Sequence, residues 1–227
     1  MLLLTKENEY IDFDLQESKL LGEGAFGKVF KLSPEKCLKV ISDPDSLPEA
    51  EEIIAFLKEH KLPNFYEVVN LYYTYQGLFK AYEMKYYEKH SDLLLYRLMD
   101  FYLENFMQTA KDIDMLSQNN IKACDLRGEN VVITDDKVVI IDADCFNKSV
   151  LDKNLLKVEN QTQLKWLYIN LLLRELLDMS NYNSDIMYNI RQGLYSIFMG
   201  NTPEEVYNQI KSYKRPIDLV RKLERKR

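Results

Sequence analysis

The sequence predicts an α+β chain, strand-rich in its first third and helical thereafter. Over Tyr10–Ile41 and Phe65–Met84, β-branched and aromatic residues give a strand-like pattern broken by glycine-containing turns, a period of two. After Met84 the apolar spacing lengthens to nearly four, as at Phe101, Phe106, Ile113 and Leu116. With 227 residues, 46% hydrophobic and 29% charged, the chain is long enough for one domain built of two lobes. A single domain over 1–227 is expected, with lobes over 10–85 and 90–227 joined near Tyr86–Ser91.

The first elements should be strands from Tyr10 to Ile41, interrupted by the glycines of LGEGAFGKVFKL and a turn at Ser33–Lys36. Ser46 has the chemistry of an N-cap, with Glu49 at the capping-box position, for a helix running to about His60. Phe65–Met84 reads as a strand pair turning at Gln76-Gly77. Helices are then expected over Asp92–Met99 and Phe101–Ser117. A β-hairpin follows, with strands at Asn130–Thr134 and Lys137–Ile141 around Asp135-Asp136. Cys145–Asn160 looks irregular, and helices at Thr162–Met179, Asp185–Met199, Pro203–Ser212 and Pro216–Arg225 complete the chain.

Composition narrows the function classes. A net charge of −6 argues against nucleic acid as the main partner. The segment from Lys211 to Arg227 carries about +6, so its last helix is a candidate docking surface as well as a solvated helix end. Cys37, Cys124 and Cys145 have no metal-ligand spacing and read as free thiols in a reducing compartment, inert unless their setting is electropositive. Met1–Leu4 is too short for a signal-peptide core, and no apolar run approaches the roughly 20 residues that cross a bilayer. A soluble cytoplasmic protein without a membrane span is expected.

Three stretches carry chemistry. Ile121–Asp144 places Asp125 and Asn130 before the hairpin and Asp142 directly after it. A hairpin holds its ends close, so these oxygen-bearing side chains should converge and suit a hard cation such as magnesium with a bound phosphate. Gly22-Glu23-Gly24-Ala25-Phe26-Gly27-Lys28-Val29 fits G-x-G-x-x-G-x-V, whose bare backbone lets amides approach a phosphate. Because Lys28–Leu32 alternates like a strand and opens no helix, this is a hairpin lid rather than a dinucleotide-binding turn. Lys39, inside the apolar strand Cys37–Ile41, needs an anionic partner if buried.

In this order, glycine loop, strand lysine, D-x-x-x-x-N and a later Asp, the chain resembles the protein kinase superfamily over roughly Ser18–Asp144. The resemblance implies a bilobal kinase-like fold, with a β-rich N-lobe carrying one helix and a reduced helical C-lobe. It implies an ATP- and Mg2+-dependent Ser/Thr-type protein kinase acting on a protein hydroxyl. By the same resemblance, Gly22, Glu23, Gly24, Ala25, Gly27 and Val29 cover the nucleotide, and Lys39 holds its phosphates. Asp125 becomes the catalytic base, Asn130 and Asp142 the metal ligands, and Arg127 a charge-offsetting group where the family has Lys. Glu49, or else Glu52, is the helix partner of Lys39, and Tyr82-Glu83-Met84 the adenine-holding hinge.

The departures are equally specific. Ala123-Cys124 replaces His-Arg before the catalytic Asp, and Ala143-Asp144 replaces Phe-Gly after the metal Asp. Loss of that Arg removes the usual partner of a phosphorylated activation segment, so activation-loop phosphorylation is not expected to be the switch. Two alternatives stay open: a small-molecule kinase of aminoglycoside-phosphotransferase type, and a nucleotide-binding pseudokinase or scaffold.

Overall fold

Short β-branched runs between turns give strands here, and longer amphipathic runs give helices. A computed structural model of the chain describes residues 1–7, 9–88, 95–178, 184–213 and 216–224, with side chains at 95–100, 175–178, 184–186, 216–217 and 224 excepted. Among the described residues the protein is α+β, with a seven-stranded antiparallel sheet and six α-helices. Two units divide it: 1–88 together with 139–148, and 89–138 together with 149–227.

The first unit holds the sheet. Its strands are β1 (Leu2–Leu4), β2 (Tyr10–Asp12), β3 (Leu20–Gly24), β4 (Gly27–Lys31), β5 (Lys36–Ile41), β6 (Val68–Tyr73) and β7 (Phe79–Lys85), in the spatial order β2-β1-β6-β7-β5-β4-β3. The expected run from Tyr10 to Ile41 therefore resolves into four strands, and the first of them pairs with β1. Met1–Leu4, read only for targeting, contributes this inner strand, with Leu3 fully buried. Leu3, Phe13, Phe30, Leu38, Val40, Tyr72 and Ala81 form a core cluster. Strand side chains alternate between faces, so Lys39 points away from the side of Leu38 and Val40. It stands in register with Val29 on β4 and Tyr82 on β7.

Helix α1 (Ala50–His60) buries Ile53, Ile54 and Leu57, as its apolar spacing predicts. Its start corrects the Ser46 assignment. Pro44–Ser46 is a 3-10 turn capped by Asp43, and Glu49 occupies the N-cap of α1 without a side-chain capping bond. Two prolines explain this: each lacks an N–H, and each disfavours helical conformation in the residue before it, which keeps Ser46 and Ala50 in separate turns.

The second unit is built on α2 (Leu95–Gln118), which packs against a long α3 (Lys153–Asp178). The two helices expected between Asp92 and Ser117 are thus one; 92–94 lie outside the described residues, as do 89–91 of the joint expected at 86–91. Short strands β8 (Ile121–Lys122) and β9 (Val131–Ile133) follow; β10 (Val138–Ile140) and β11 (Asn147–Lys148) come next in the chain and from 139 onward belong to the first unit. The expected hairpin turn is closed by the Thr134 N–H donating to the Lys137 carbonyl at 2.9 Å. α4 (Ser184–Met199), α5 (Pro203–Lys211) and α6 (Pro216–Glu224) complete the second unit. Phe106 of α2 meets Tyr168 and Phe198 edge-on at 5.1 and 5.2 Å. Leu219, Val220 and Leu223 of α6 are buried, leaving Arg221 and Lys222 on its exposed side; 214–215 and 225–227 of the basic tail lie outside the described residues.

α3 begins nine residues before the expected Thr162. The Asp152 carboxylate accepts the Asn154 N–H and its carbonyl accepts the Leu156 N–H. The buried face is Leu156, Asn160, Leu164 and Leu167, and the buried Asn in that row broke the apolar period. A capping box at α5 also escaped the sequence reading: Thr202 Oγ1 accepts the Glu205 N–H at 3.3 Å while Glu205 accepts the Thr202 N–H at 2.8 Å. No helix among the described residues is long and apolar enough to cross a membrane.

Glycines 22, 24 and 27 separate by what the fold needs. A Cβ on Gly27 would lie 2.3 Å from the Val40 carbonyl oxygen, whereas one on Gly22 or Gly24 would meet nothing within 4 Å. Gly27→Ala should therefore destabilise the protein by about 1–3 kcal/mol through overpacking against β5. Gly22→Ala and Gly24→Ala should stay within about 0.5 kcal/mol in the same urea-unfolding measurement.

Candidate functional site

A lysine in the middle of an apolar sheet is the first constraint on the site. The Lys39 side chain is only 5% exposed, and its ammonium meets Asp142 and, at 2.9 Å, both carboxylate oxygens of Asp144. Burial pulls the Lys39 ammonium down, but the charges of Asp144 and then Asp142 outweigh it and hold the group above its usual range. Asp144 is pushed up to about 6, first by burial and further by Asp142, against the opposing pull of Lys39.

The segment carrying both acids is woven into the first unit by its backbone. The Ile140 N–H donates to Asn64 O at 2.8 Å, and the Tyr66 N–H to Ile140 O at 3.0 Å. The chain then reverses at Asp142, which takes the left-handed conformation (φ 67°), into a 3-10 turn over Ala143–Cys145. Phe146 anchors the end of the turn edge-on against Phe65, ring centroids 6.1 Å apart. Behind the acids lie Tyr66 and Tyr82, hydroxyls 3.5 Å apart, both raised far above their usual range by burial and the negative charge of Asp144.

Neither helix glutamate partners Lys39, which corrects that expectation. Glu49 accepts the Lys148 N–H, and Glu52 pairs with the Lys148 ammonium at 2.8 Å. Glu51 pairs with Lys6 and accepts the Tyr73 hydroxyl, each at 2.9 Å. The departure Ala143-Asp144 explains the change: where a Phe-Gly pair offers no charge, this chain supplies a carboxylate two residues after Asp142. Glu83 and Met84 differ from the expected hinge as well. They lie inside β7 with β5 and β6 on either side, opposite Leu38 and Asn70 in the case of Glu83. The buried Glu83 carboxylate accepts the Tyr72 hydroxyl at 2.9 Å and pairs with Lys36 at 2.6 Å. The Tyr72 phenol is raised, first by its own burial and then by this bond, to about 12.

The glycine stretch is a β3–β4 hairpin turning at Ala25-Phe26, as its alternation predicts. Glu23 and Lys28 pair across it at 3.0 Å. Val29, the last motif residue, stands opposite Lys39.

In the second unit, Asp125, Arg127 and Asn130 are brought together. Asn130 Nδ2 donates to the Asp125 carbonyl at 3.0 Å and to its Oδ2 at 3.2 Å, and Arg127 Nε pairs with Oδ1. With its nitrogen so engaged, the Asn130 side chain has its carbonyl oxygen as the remaining donor atom to a cation. Asp125, like Asp142, has a positive φ, 55°. Non-glycine residues in that region are uncommon, and their strain tends to gather at functional sites.

A buried asparagine positions this loop. Asn160, fully buried on α3, accepts the Ala123 N–H at 2.9 Å and donates to Ser117 Oγ and Ile121 O at 3.0 and 2.9 Å. The sequence reading missed it because Asn160 was placed outside a helix. Its one signal is a polar residue four positions from Leu156 and Leu164.

The Asp142 carboxylate in the first unit and the Asn130 amide oxygen in the second are each hard donors of the kind magnesium prefers. Among the described residues, no group of three or more His, Cys, Asp or Glu side chains forms a ready-made metal cluster. The half-buried thiols of Cys124 and Cys145 donate to the Lys122 and Asp142 carbonyls at 3.8 and 3.5 Å. Cys37 is buried, and burial followed by the charge of Glu83 pushes its thiol up to about 11.

Asn160→Leu should cost about 2 kcal/mol or more in chemical unfolding, because it strands the buried Ala123 N–H and Ile121 carbonyl. In mass-mapped alkylation of the native protein, Cys37 should be nearly unlabelled at pH 8. Its rate should rise about tenfold per pH unit until the pH nears its raised value, since only the thiolate reacts. Labelling at the rate of a free thiol would mean the site is open.

The chain matches no protein-family model, and no curated protein is significantly similar to it in sequence.

Proposed function

We infer that the chain is an ATP-dependent phosphotransferase of protein-kinase type, acting on a hydroxyl group. The observation that carries this reading is the Lys39–Asp142 ion pair, formed across 103 positions of sequence. It joins a strand lysine beside a glycine hairpin to a partly exposed aspartate in the left-handed backbone region, beside the buried Asp144 that pairs with the same lysine. The open space at Gly22 and Gly24 supports it too, because the fold alone does not demand glycine there.

In this reading Lys39 holds the nucleotide phosphates, and the β3–β4 hairpin covers them with backbone amides. Asp142 and Asn130 would hold magnesium, which when bound neutralises phosphate oxygens. The acceptor oxygen bonds to the γ-phosphorus as the bond to the β–γ bridging oxygen breaks. Asp125 takes the hydroxyl proton, Arg127 offsets charge on the transferred group, and ADP leaves.

The experiment is transfer from γ-labelled ATP with magnesium to a generic protein acceptor and, in parallel, to small hydroxylated acceptors. Label on protein supports the protein-kinase reading, and label on small molecules alone moves the assignment to a small-molecule kinase. Nucleotide binding without any transfer identifies a binding module. Asp125→Asn and Asp142→Asn are the variants of choice, because Asn tolerates the left-handed region. Each should lower turnover by about 100-fold or more while leaving thermal unfolding near the parent. Parental turnover in Asp142→Asn would remove Asp142 from the site.

A further inference from the structure

Lys39 faces two carboxylates, and we propose that they have different jobs. Asp144 is the permanent counter-ion that positions Lys39, and Asp142 is the exchangeable one that can leave it for a ligand. The proposal deepens the phosphotransfer reading and rests on it for the identity of that ligand.

One ammonium and two carboxylates leave an excess negative charge in a poorly solvated place. The two acids differ in how they can relieve it. The Asp144 side chain is 0% exposed, with both oxygens 2.9 Å from the ammonium, and Oδ2 has no hydrogen-bonding partner among the described residues. A carboxylate sealed in this way has no route to a solvent-borne cation, and separating it from Lys39 would leave a bare buried charge. The Asp142 side chain is 35% exposed and sits at the chain reversal, so an arriving cation can reach it. The surplus negative charge is therefore the accessible one.

The surrounding structure fixes Asp144 rather than Asp142. Ala143 is fully buried, the Phe146 N–H closes the 3-10 turn onto Ala143 O at 3.1 Å, and Phe146 is held by Phe65. Two residues further on, α1 grips the same segment, Glu49 through the Lys148 backbone and Glu52 through its side chain. In this chain the helix glutamates hold the segment that carries the counter-ion, and the segment holds the lysine. Asp144 is a positioning residue, acting through Lys39.

A thermal-unfolding cycle without ligand tests the pairing. Lys39→Met should lower Tm by about 5 °C or more, because it strands Asp144. Adding Asp144→Asn to it should restore at least half of that loss, and adding Asp142→Asn should restore less than half as much. Equal or greater rescue by Asp142→Asn, or no rescue by Asp144→Asn, overturns the proposal. Should Lys39→Met fail to fold, folding of Lys39→Met/Asp144→Asn supports it and failure of the double variant overturns it. A second arm measures ADP binding by calorimetry with and without magnesium. Asp144→Asn should weaken binding in both conditions to the level of Lys39→Met, and Asp142→Asn should abolish only the enhancement by magnesium. The reverse pattern overturns the division of labour. Absence of ADP binding by the parent overturns the phosphotransfer reading alone, and the unfolding cycle still decides the pairing.

Discussion

Moving an ammonium group out of water into an apolar sheet is among the costliest things a fold does, and the first unit is arranged around having done it at Lys39. Leu38 and Val40 suit β5 to an inner place in the sheet, between β7 and β4, and the strand pleat then sends Lys39 to the other face. From that point the chain must deliver negative charge to a fixed place. It does so with ten residues, 139–148, that return to the first unit after the chain has passed through part of the second. Their backbone bonds to Asn64 and Tyr66, the edge-on contact of Phe146 with Phe65 and the grip of α1 all serve to hold two aspartates against one lysine.

The same economy of polar groups governs the second unit. A single Asn160 amide bonds the end of α2 at Ser117, the β8 carbonyl of Ile121 and the Ala123 N–H, and so fixes the approach to Asp125. Asn130 repeats the device at shorter range, using one amide nitrogen to hold both the backbone and the carboxylate of Asp125. In both units, then, polar side chains buried for geometry stand directly behind the residues proposed to do chemistry.

Much of the layout was legible in the sequence because it depends on local periodicity and turn chemistry. The β3–β4 hairpin, the Gln76-Gly77 turn, the Asp135-Asp136 turn and the last three helices all follow from such signals. What was not legible depends on distant partners. Leu2–Leu4 is too short to announce a strand, and it becomes one because β2 and β6 flank it. The start of α3 was hidden by Asn160, whose polarity makes sense only beside Ser117 and Ala123. For the site, the sequence placed Lys39 and Asp142 as candidates but paired the lysine with α1. Asp144, half of the Ala143-Asp144 departure, supplies its counter-charge.

The path of the chain through the two units has a consequence for synthesis. Lys39 emerges from a ribosome 103 residues before Asp142. At about 5–20 residues per second, β5 spends about 5–20 s without the acids that neutralise it. During that interval the inner strand β5 cannot be sealed around an ammonium with no counter-charge. The first-made part of the protein must therefore wait, open at its core, for a segment made much later. The nascent chain has a built-in order: sheet hairpins early, closure of the Lys39 face only after residue 144.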